Sequence, residues 1–321
     1  MEESIINFAK QFDYKPEIKN VEKLGTGYKN YVLSGMGGSH LSAGILLTYK
    51  PDLNLYIHKD YSVPEYTKEF CREALFIASS YSGNTEEVYD FLDEAYSKGH
   101  DVFVISTGGK LIDFAKENKL PYIQLPAVNI PPRLAVGYST IALAMVVLPL
   151  LVPELLLLSK TLNPKKIQAE GLSIAESLFG KIPVIYSSNK NKHVAYNWKI
   201  KYNETAKIPA FCNVFPELNH NEMQGYDFIA ENEALSKNFH FILLKDKTDD
   251  ERIIKRMDVL QQLFEEKGLG VTQVYLDGNS RFEQIFNSIL LADWTTINIA
   301  KKYNIDPEKV PFIEKFKKKI S

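Results

Sequence analysis

Two short stretches of the chain gather glycines and hydroxyls in the pattern that a bound phosphate needs. One is Gly35-Met-Gly-Gly-Ser-His40, which follows the short apolar run Asn30-Tyr-Val-Leu-Ser. The other is Ser79-Ser-Tyr-Ser-Gly-Asn-Thr-Glu86, which follows Ala74-Leu-Phe-Ile-Ala78 and precedes an amphipathic segment. A strand, a hydroxyl-rich turn and a helix start bring O–H groups and unbonded helix N–H groups into one concavity, where the helix dipole adds about half a positive charge. Such a cradle holds an anion without lysine. Ser, Asn and Thr are also ordinary N-cap residues, so the second stretch alone leaves both readings open. A dinucleotide is the weaker reading of the first stretch: with Gly35 and Gly37 as the first two glycines of a Gly-x-Gly-x-x-Gly pattern, the third position is His40.

The elements around these turns alternate in type. Expected strands are 30–34, 53–58, 74–78, 101–106 and 122–125, with helices following 40, 85 and 109. Strands alternating with helices at this spacing predict a parallel sheet covered on both faces, with ligands at the carboxyl ends of the strands. Both turns fall there, and their coincidence favours phosphate. Residues 1–28 read as a helix and a connector that pack on the rest. After a linker near Leu162-Asn-Pro-Lys a second alternation begins. It has strands at 182–187, 209–214, 239–245 and 271–276, and helices at 193–205, 250–266 and 282–302. Two consecutive α/β units suggest an internal duplication, in which Tyr186-Ser-Ser-Asn is only a faint echo of the first unit's phosphate turns.

Composition narrows the function classes. At 321 residues the chain suffices for about two domains, and 45% hydrophobic with 24% charged residues is the balance of a soluble globular protein. A formal net charge of −2 gives no electrostatic footprint for nucleic acid or an acidic membrane. Two cysteines, Cys71 and Cys212, predict neither a disulfide framework nor a zinc site, which fits a cytoplasmic setting. Residues 141–158 are the one run that could mimic a membrane span, but Pro149, Pro153 and Glu154 interrupt it. A buried helix, a break and a second apolar segment are expected.

Taken together, the two turns resemble the sugar isomerase (SIS) domain signature, and the rest of the chain is similar to the archaeal-type bifunctional phosphoglucose/phosphomannose isomerases. The resemblance extends through Pro131-Pro-Arg133, Asn203-Glu-Thr-Ala-Lys207, Pro216-Glu-Leu-Asn-His220-Asn-Glu222 and a terminal pattern Asp306-Pro…Val310…Ile313-Glu-Lys315. It implies an α/β fold of two SIS-type three-layer αβα domains with mainly parallel sheets. Residues 1–160 would bind the sugar phosphate, and residues 161–321 would supply catalytic groups.

Aldose–ketose isomerisation opens the sugar ring, removes a proton alpha to a carbonyl and returns it to the neighbouring carbon. One carboxylate can make both transfers through an enediolate if a cation or donors stabilise the oxyanion. The resemblance assigns that base to Glu204, ring opening to His220 and Lys315, and enediolate stabilisation to Arg133. It assigns the phosphate pocket to Gly38, Ser39, Ser80, Ser82 and Thr85. It implies no cofactor and no metal, and a homodimer in which His220 reaches the partner's site.

One departure bears on substrate range. The family often carries Asp-Pro-Thr-Pro-Val before the terminal helix, with the threonine associated with mannose 6-phosphate. Here the segment is Asp306-Pro-Glu308-Lys309-Val310, and an ionised glutamate donates no hydrogen bond. Interconversion of glucose 6-phosphate and fructose 6-phosphate is therefore the firmer expectation, with mannose 6-phosphate left open. The alternatives are a non-catalytic SIS-domain sugar-phosphate sensor or regulator, which would need no base, histidine and lysine set, and another SIS chemistry.

Overall fold

The structure, a computed structural model, describes residues 1–320. It divides into two compact units, Asn7–Leu162 and Met1–Ile6 with the chain from Asn163 onward.

In the first unit, strands β1 (Ile18–Lys19), β2 (Asn30–Ser34), β3 (Leu55–His58), β4 (Ala74–Ser80), β5 (Val102–Ser106) and β6 (Tyr122–Gln124) form one sheet in the order β1-β6-β5-β4-β2-β3. All neighbours are parallel except β1, which pairs antiparallel with β6. Every residue of β4 is buried, as expected of a central strand covered on both faces. Side chains alternate across it. Ala74, Phe76 and Ala78 face the core made with Val88, Phe91 and Leu92 of helix Glu86–Ser97 and with Leu111, Ile112 and Ala115 of helix Gly109–Glu117. Leu75 and Ile77 point the other way. Helices Leu41–Tyr49 and Val136–Val147 pack against each other and are buried nearly all round, so neither shows a polar face.

The second unit's sheet is β10-β9-β7-β8, all parallel, from β7 (Ile182–Ser188), β8 (Phe211–Phe215), β9 (Phe239–Lys245) and β10 (Gly270–Tyr275). Counting only parallel strands, the second sheet runs second-first-third-fourth and the first sheet runs the same way with a fifth strand added, the order expected of duplicated units. Helix Glu251–Glu266 puts Met257, Leu260 and Phe264 on one face, against Val184, Tyr186, Phe241 and Leu243. Helix Lys192–Lys201 packs on β7 and against the long helix Arg281–Lys302, which also crosses Gln168–Ser177. The crossing is close at Gly171, where a Cβ would lie 2.4 Å from that of Trp294, so only glycine fits without displacement.

The α/β architecture and most strand positions agree with the sequence reading. Three details differ. The edge strand β1 lies in the expected connector. The second strand starts at Leu55 rather than Leu53, and the side-chain amide of Asn54 just before it donates to Lys29 O. The helix expected over 193–205 is α-helical only to Lys201 and continues as a π-helical turn over Tyr202–Ala206. The apolar run near 150, as expected, breaks into helix Val136–Val147, the 3-10 turn Pro149–Leu151 and helix Val152–Thr161. Among the described residues no helix is long and apolar enough to cross a membrane.

Candidate functional site

Both glycine- and hydroxyl-rich stretches lie at the carboxyl ends of β2 and β4, adjacent strands on either side of which the chain order reverses. In open α/β sheets this is where ligands bind. The first stretch leaves β2 at Ser34, turns with Gly37 at φ +54° and enters helix Leu41–Tyr49 through the 3-10 turn Gly37–His40. Gly35 sits against the second stretch: a Cβ on it would approach Ser79 O to 3.2 Å. Hydrogen bonds join the two turns, Ser79 Oγ donating to Ser39 O at 3.1 Å and Tyr81 N–H to Ser39 Oγ at 3.0 Å.

Within the second turn Ser80 and Thr85 hydroxyls bond each other at 2.7 Å, and Gly83 N–H donates to Ser80 Oγ at 3.1 Å. Thr85 is the N-cap of helix Glu86–Ser97, yet its side chain makes no capping bond. The first N–H groups of that helix are thus left without a side-chain cap at the mouth of the cradle. Ser82 and Asn84 are exposed there, and Ser80 lies buried beneath them. Tyr81 backs the turn. Its hydroxyl donates to Val128 O at 3.0 Å, and burial pushes its phenol up to about 12.

Arg133 joins this group. It lies in the 3-10 turn Pro132–Leu134, packed against Gly38, and is only 2% exposed. Gln11 fixes that turn, its Nε2 donating to Leu134 O at 2.6 Å while its Oε1 accepts from Gly137 N–H at 3.0 Å. The sequence reading gave Gln11 no part; an amide within an otherwise apolar helical face, between Phe8 and Phe12, is the signal that points to it.

The structure thus assembles Gly38, Ser39, Ser80, Ser82, Thr85 and Arg133 in one unit. Glu204, His220 and Lys315 stand on three separate segments of the other. Glu204 is partly exposed in the π-helical turn, followed by Lys207 at φ 55°, whose Nζ donates to Glu204 O at 3.0 Å. His220 is exposed at the end of the 3-10 turn Glu217–His220, just past the cis Phe215–Pro216 bond. The turn is braced from behind by Glu222, which accepts from Tyr186 Oη at 2.6 Å and from Asn213 Nδ2. Burial first, and then Glu222 beside it, hold the Tyr186 phenol far above its usual range. Lys315 lies on the terminal helix Pro311–Ile320, all of whose residues are exposed.

The second sheet has the same pair of turns after β7 and β9, and its own side chains fill them. Asp246 accepts from Arg281 Nη1 at 2.7 Å and Asn191 Nδ2 at 3.1 Å, with Lys190 Nζ 3.3 Å away. Burial pushes the Asp246 carboxyl up, but hydrogen bonds from Thr248 and the charge of Arg281 outweigh it and hold the group below the usual carboxylate range. The echo of the phosphate turns is occupied by an internal carboxylate. Glu308, where the family often has threonine, pairs with the Met1 ammonium. Among the described residues no group of three or more His, Cys, Asp or Glu side chains is placed to hold a metal ion.

Comparison with known proteins adds an independent line. Residues 167–320 match the family model described as the bacterial phospho-glucose isomerase C-terminal SIS domain. A bifunctional phosphoglucose/phosphomannose isomerase of Caldicellulosiruptor bescii is 33% identical, over 100% of this chain and 99% of that protein. One from Thermoplasma acidophilum is 34% identical, over 92% and 90% respectively. In fold, the chain is similar to the crystal structure of glucosamine-6-phosphate deaminase from Thermotoga maritima, with a TM-score of 0.70 at 16% identity over 96% of this chain and 95% of that one. With its two α/β units and similarity over its whole length, this chain belongs to the bifunctional phosphoglucose/phosphomannose isomerase family.

Proposed function

We propose that this chain is an aldose–ketose isomerase that interconverts glucose 6-phosphate and fructose 6-phosphate through an enediolate. The observation that carries the reading is the similarity, from end to end, to relatives named for this activity. The uncapped start of helix Glu86–Ser97 beside the Gly38 turn supports it, because a phosphate placed there meets N–H groups that the protein leaves unbonded.

In this reading the backbone at Gly38 and the hydroxyls of Ser39, Ser80, Ser82 and Thr85 hold the phosphate. Anchoring that remote group orients the reacting carbons and so contributes to the chemical step itself. His220 and Lys315 open the ring. Glu204 takes the proton from C2 of the aldose and returns it to C1, and Arg133 offsets the negative charge that develops on the oxygens. The permanently charged, planar guanidinium suits that role. The enzyme works in the cytoplasm as a homodimer, with His220 supplied across the subunit interface. Mannose 6-phosphate is the second substrate, handled through a group other than the family threonine.

A coupled assay of the purified chain with fructose 6-phosphate, scoring glucose 6-phosphate and mannose 6-phosphate separately, tests this. Glucose 6-phosphate is the expected main product, and conversion to neither sugar overturns the reading.

A further inference from the structure

Two buried polar contacts tie helix Lys192–Lys201 to the long helix Arg281–Lys302. Trp198 Nε1 donates to Ser288 Oγ at 3.0 Å, and Lys201 Nζ donates to Asp293 Oδ1 at 2.5 Å. Both charged side chains of the second contact are 0% exposed. Taking a lysine and an aspartate fully out of water costs much of what their attraction returns, so apolar residues of similar volume would hold the helices together as well or better. Such a pair does something apolar residues cannot: it matches one atom on one helix to one atom on the other, and so fixes register.

What Lys201 borders gives this its meaning. The next five residues, Tyr202–Ala206, form the π-helical turn that carries Glu204. π-turns are frequent at functional sites, and this one closes its helix, with Lys207 in the left-handed region directly after it. Both ends of this turn are held by lysines. Lys201 anchors the start to Asp293, and Lys207 closes the end by donating to the carbonyls of Glu204 at 3.0 Å and Thr205 at 3.4 Å. Tyr202, Thr205 and Ala206 are buried, while Asn203 and Glu204 are partly exposed.

We propose that Lys201 and Asp293 form a positioning pair that sets where the π-helical turn presents Glu204. The proposal rests on the reading of Glu204 as the base. The pair touches no reacting atom; it acts by fixing the helix end from which Glu204 projects. A proton transfer is sensitive to such placement, since a shift of about 1 Å can reduce rate on the order of a hundredfold.

The test uses the full-length double variant Lys201→Met/Asp293→Leu with fructose 6-phosphate. It is expected to fold with a melting temperature close to that of the parent, to keep KM within about twofold and to lose kcat about tenfold. The solvent deuterium incorporated per sugar converted should change with it, a ratio that loss of folded protein leaves unmoved. Parental kcat in the folded variant overturns the proposal. Should that variant not fold, Asp293→Asn carries the test, with an expected kcat loss of about threefold or more at unchanged KM, and unchanged kcat again overturns it. Glu204→Gln in the same assay separates the two ideas. If it keeps full turnover, the base reading fails and the positioning role falls with it. If it is inactive beside a fully active Lys201→Met/Asp293→Leu, the positioning role alone fails.

Discussion

Gly38 and Arg133 meet backbone to backbone: a Cβ placed on Gly38 would lie 2.9 Å from the Arg133 nitrogen and 2.9 Å from the Pro132 carbonyl carbon. The contact couples the phosphate turn to the segment that carries the buried guanidinium. Gly38→Ala must push the Pro132–Leu134 turn away, since neither contacting atom belongs to a flexible side chain. The expected result is a loss of about tenfold or more in kcat/KM for fructose 6-phosphate, with a destabilisation of about 1–3 kcal/mol from overpacking. Gly37→Ala is the contrast: that position has φ +54° and nothing within 4 Å, so it should cost about 1 kcal/mol of backbone strain and much less activity. Steady-state kinetics and thermal melts on both variants decide the matter.

Glu222 behind the His220 turn gives a second prediction. Both its oxygens accept, one from Tyr186 and one from Asn213, and Asn213 Oδ1 is already committed to Val214 N–H at 2.8 Å. Glu222→Gln can keep an oxygen on Asn213 Nδ2 only by turning its N–H toward Tyr186 Oη, which must then accept instead of donating, and the charge that strengthened both bonds is lost. A destabilisation of about 1–3 kcal/mol is expected, together with a several-fold fall in kcat as the turn carrying His220 loosens. Stability equal to the parent's would mean that the brace is not needed.

His240 ties stability to pH. It is 7% exposed, its Nε2 lies 2.8 Å from Thr272 Oγ1, and burial lowers its pKa to about 4, with Lys181 adding to the effect. An unfolded histidine takes up its proton near pH 6.5, whereas the folded one stays neutral until about pH 4. Between these values the unfolded chain binds more protons, so stability falls as pH falls, by up to about 3 kcal/mol from this residue. Urea midpoints from pH 7 to pH 4 should show a steeper decline for the parent than for His240→Gln, and parallel curves would contradict the assignment.

Glu308 offers a probe of substrate range. Its carboxylate is engaged by the Met1 ammonium and donates nothing, whereas a threonine at the same place presents a hydroxyl. Glu308→Thr is expected to raise the ratio of mannose 6-phosphate to glucose 6-phosphate formed from fructose 6-phosphate several-fold. An unchanged product ratio would remove this position from the question of specificity.

The phosphate turns were legible because turn chemistry is local. Gly37, Gly83 and the serines around them declare their conformation in the sequence, and the central strands declare themselves by near-continuous apolar runs. Features set by distant partners were not legible in the same way. Ile18–Lys19 becomes a strand only because β6 offers it an edge, and two residues carry no periodicity. Arg133 is in the second half of a short loop yet fully enclosed, which no local pattern announces. The π-turn is invisible because the α and π patterns differ by a single residue. Lys201 left a trace, since it continues the buried spacing of Val194, Ala195 and Trp198, but a lysine at such a position is normally read as surface until its partner is seen.

Gly83 holds a last consequence. With φ +71° and a would-be Cβ 1.7 Å from Gly108 O, it admits no side chain at all, and Gly109 at φ +68° is similarly hemmed in by Ser82 O and Asn84. Two loops that are far apart in sequence therefore constrain each other's vocabulary. Neither can drift alone, so descendants of this chain that keep the cradle must inherit glycine at 83 and at 109 as a linked set, whatever sugar they come to prefer.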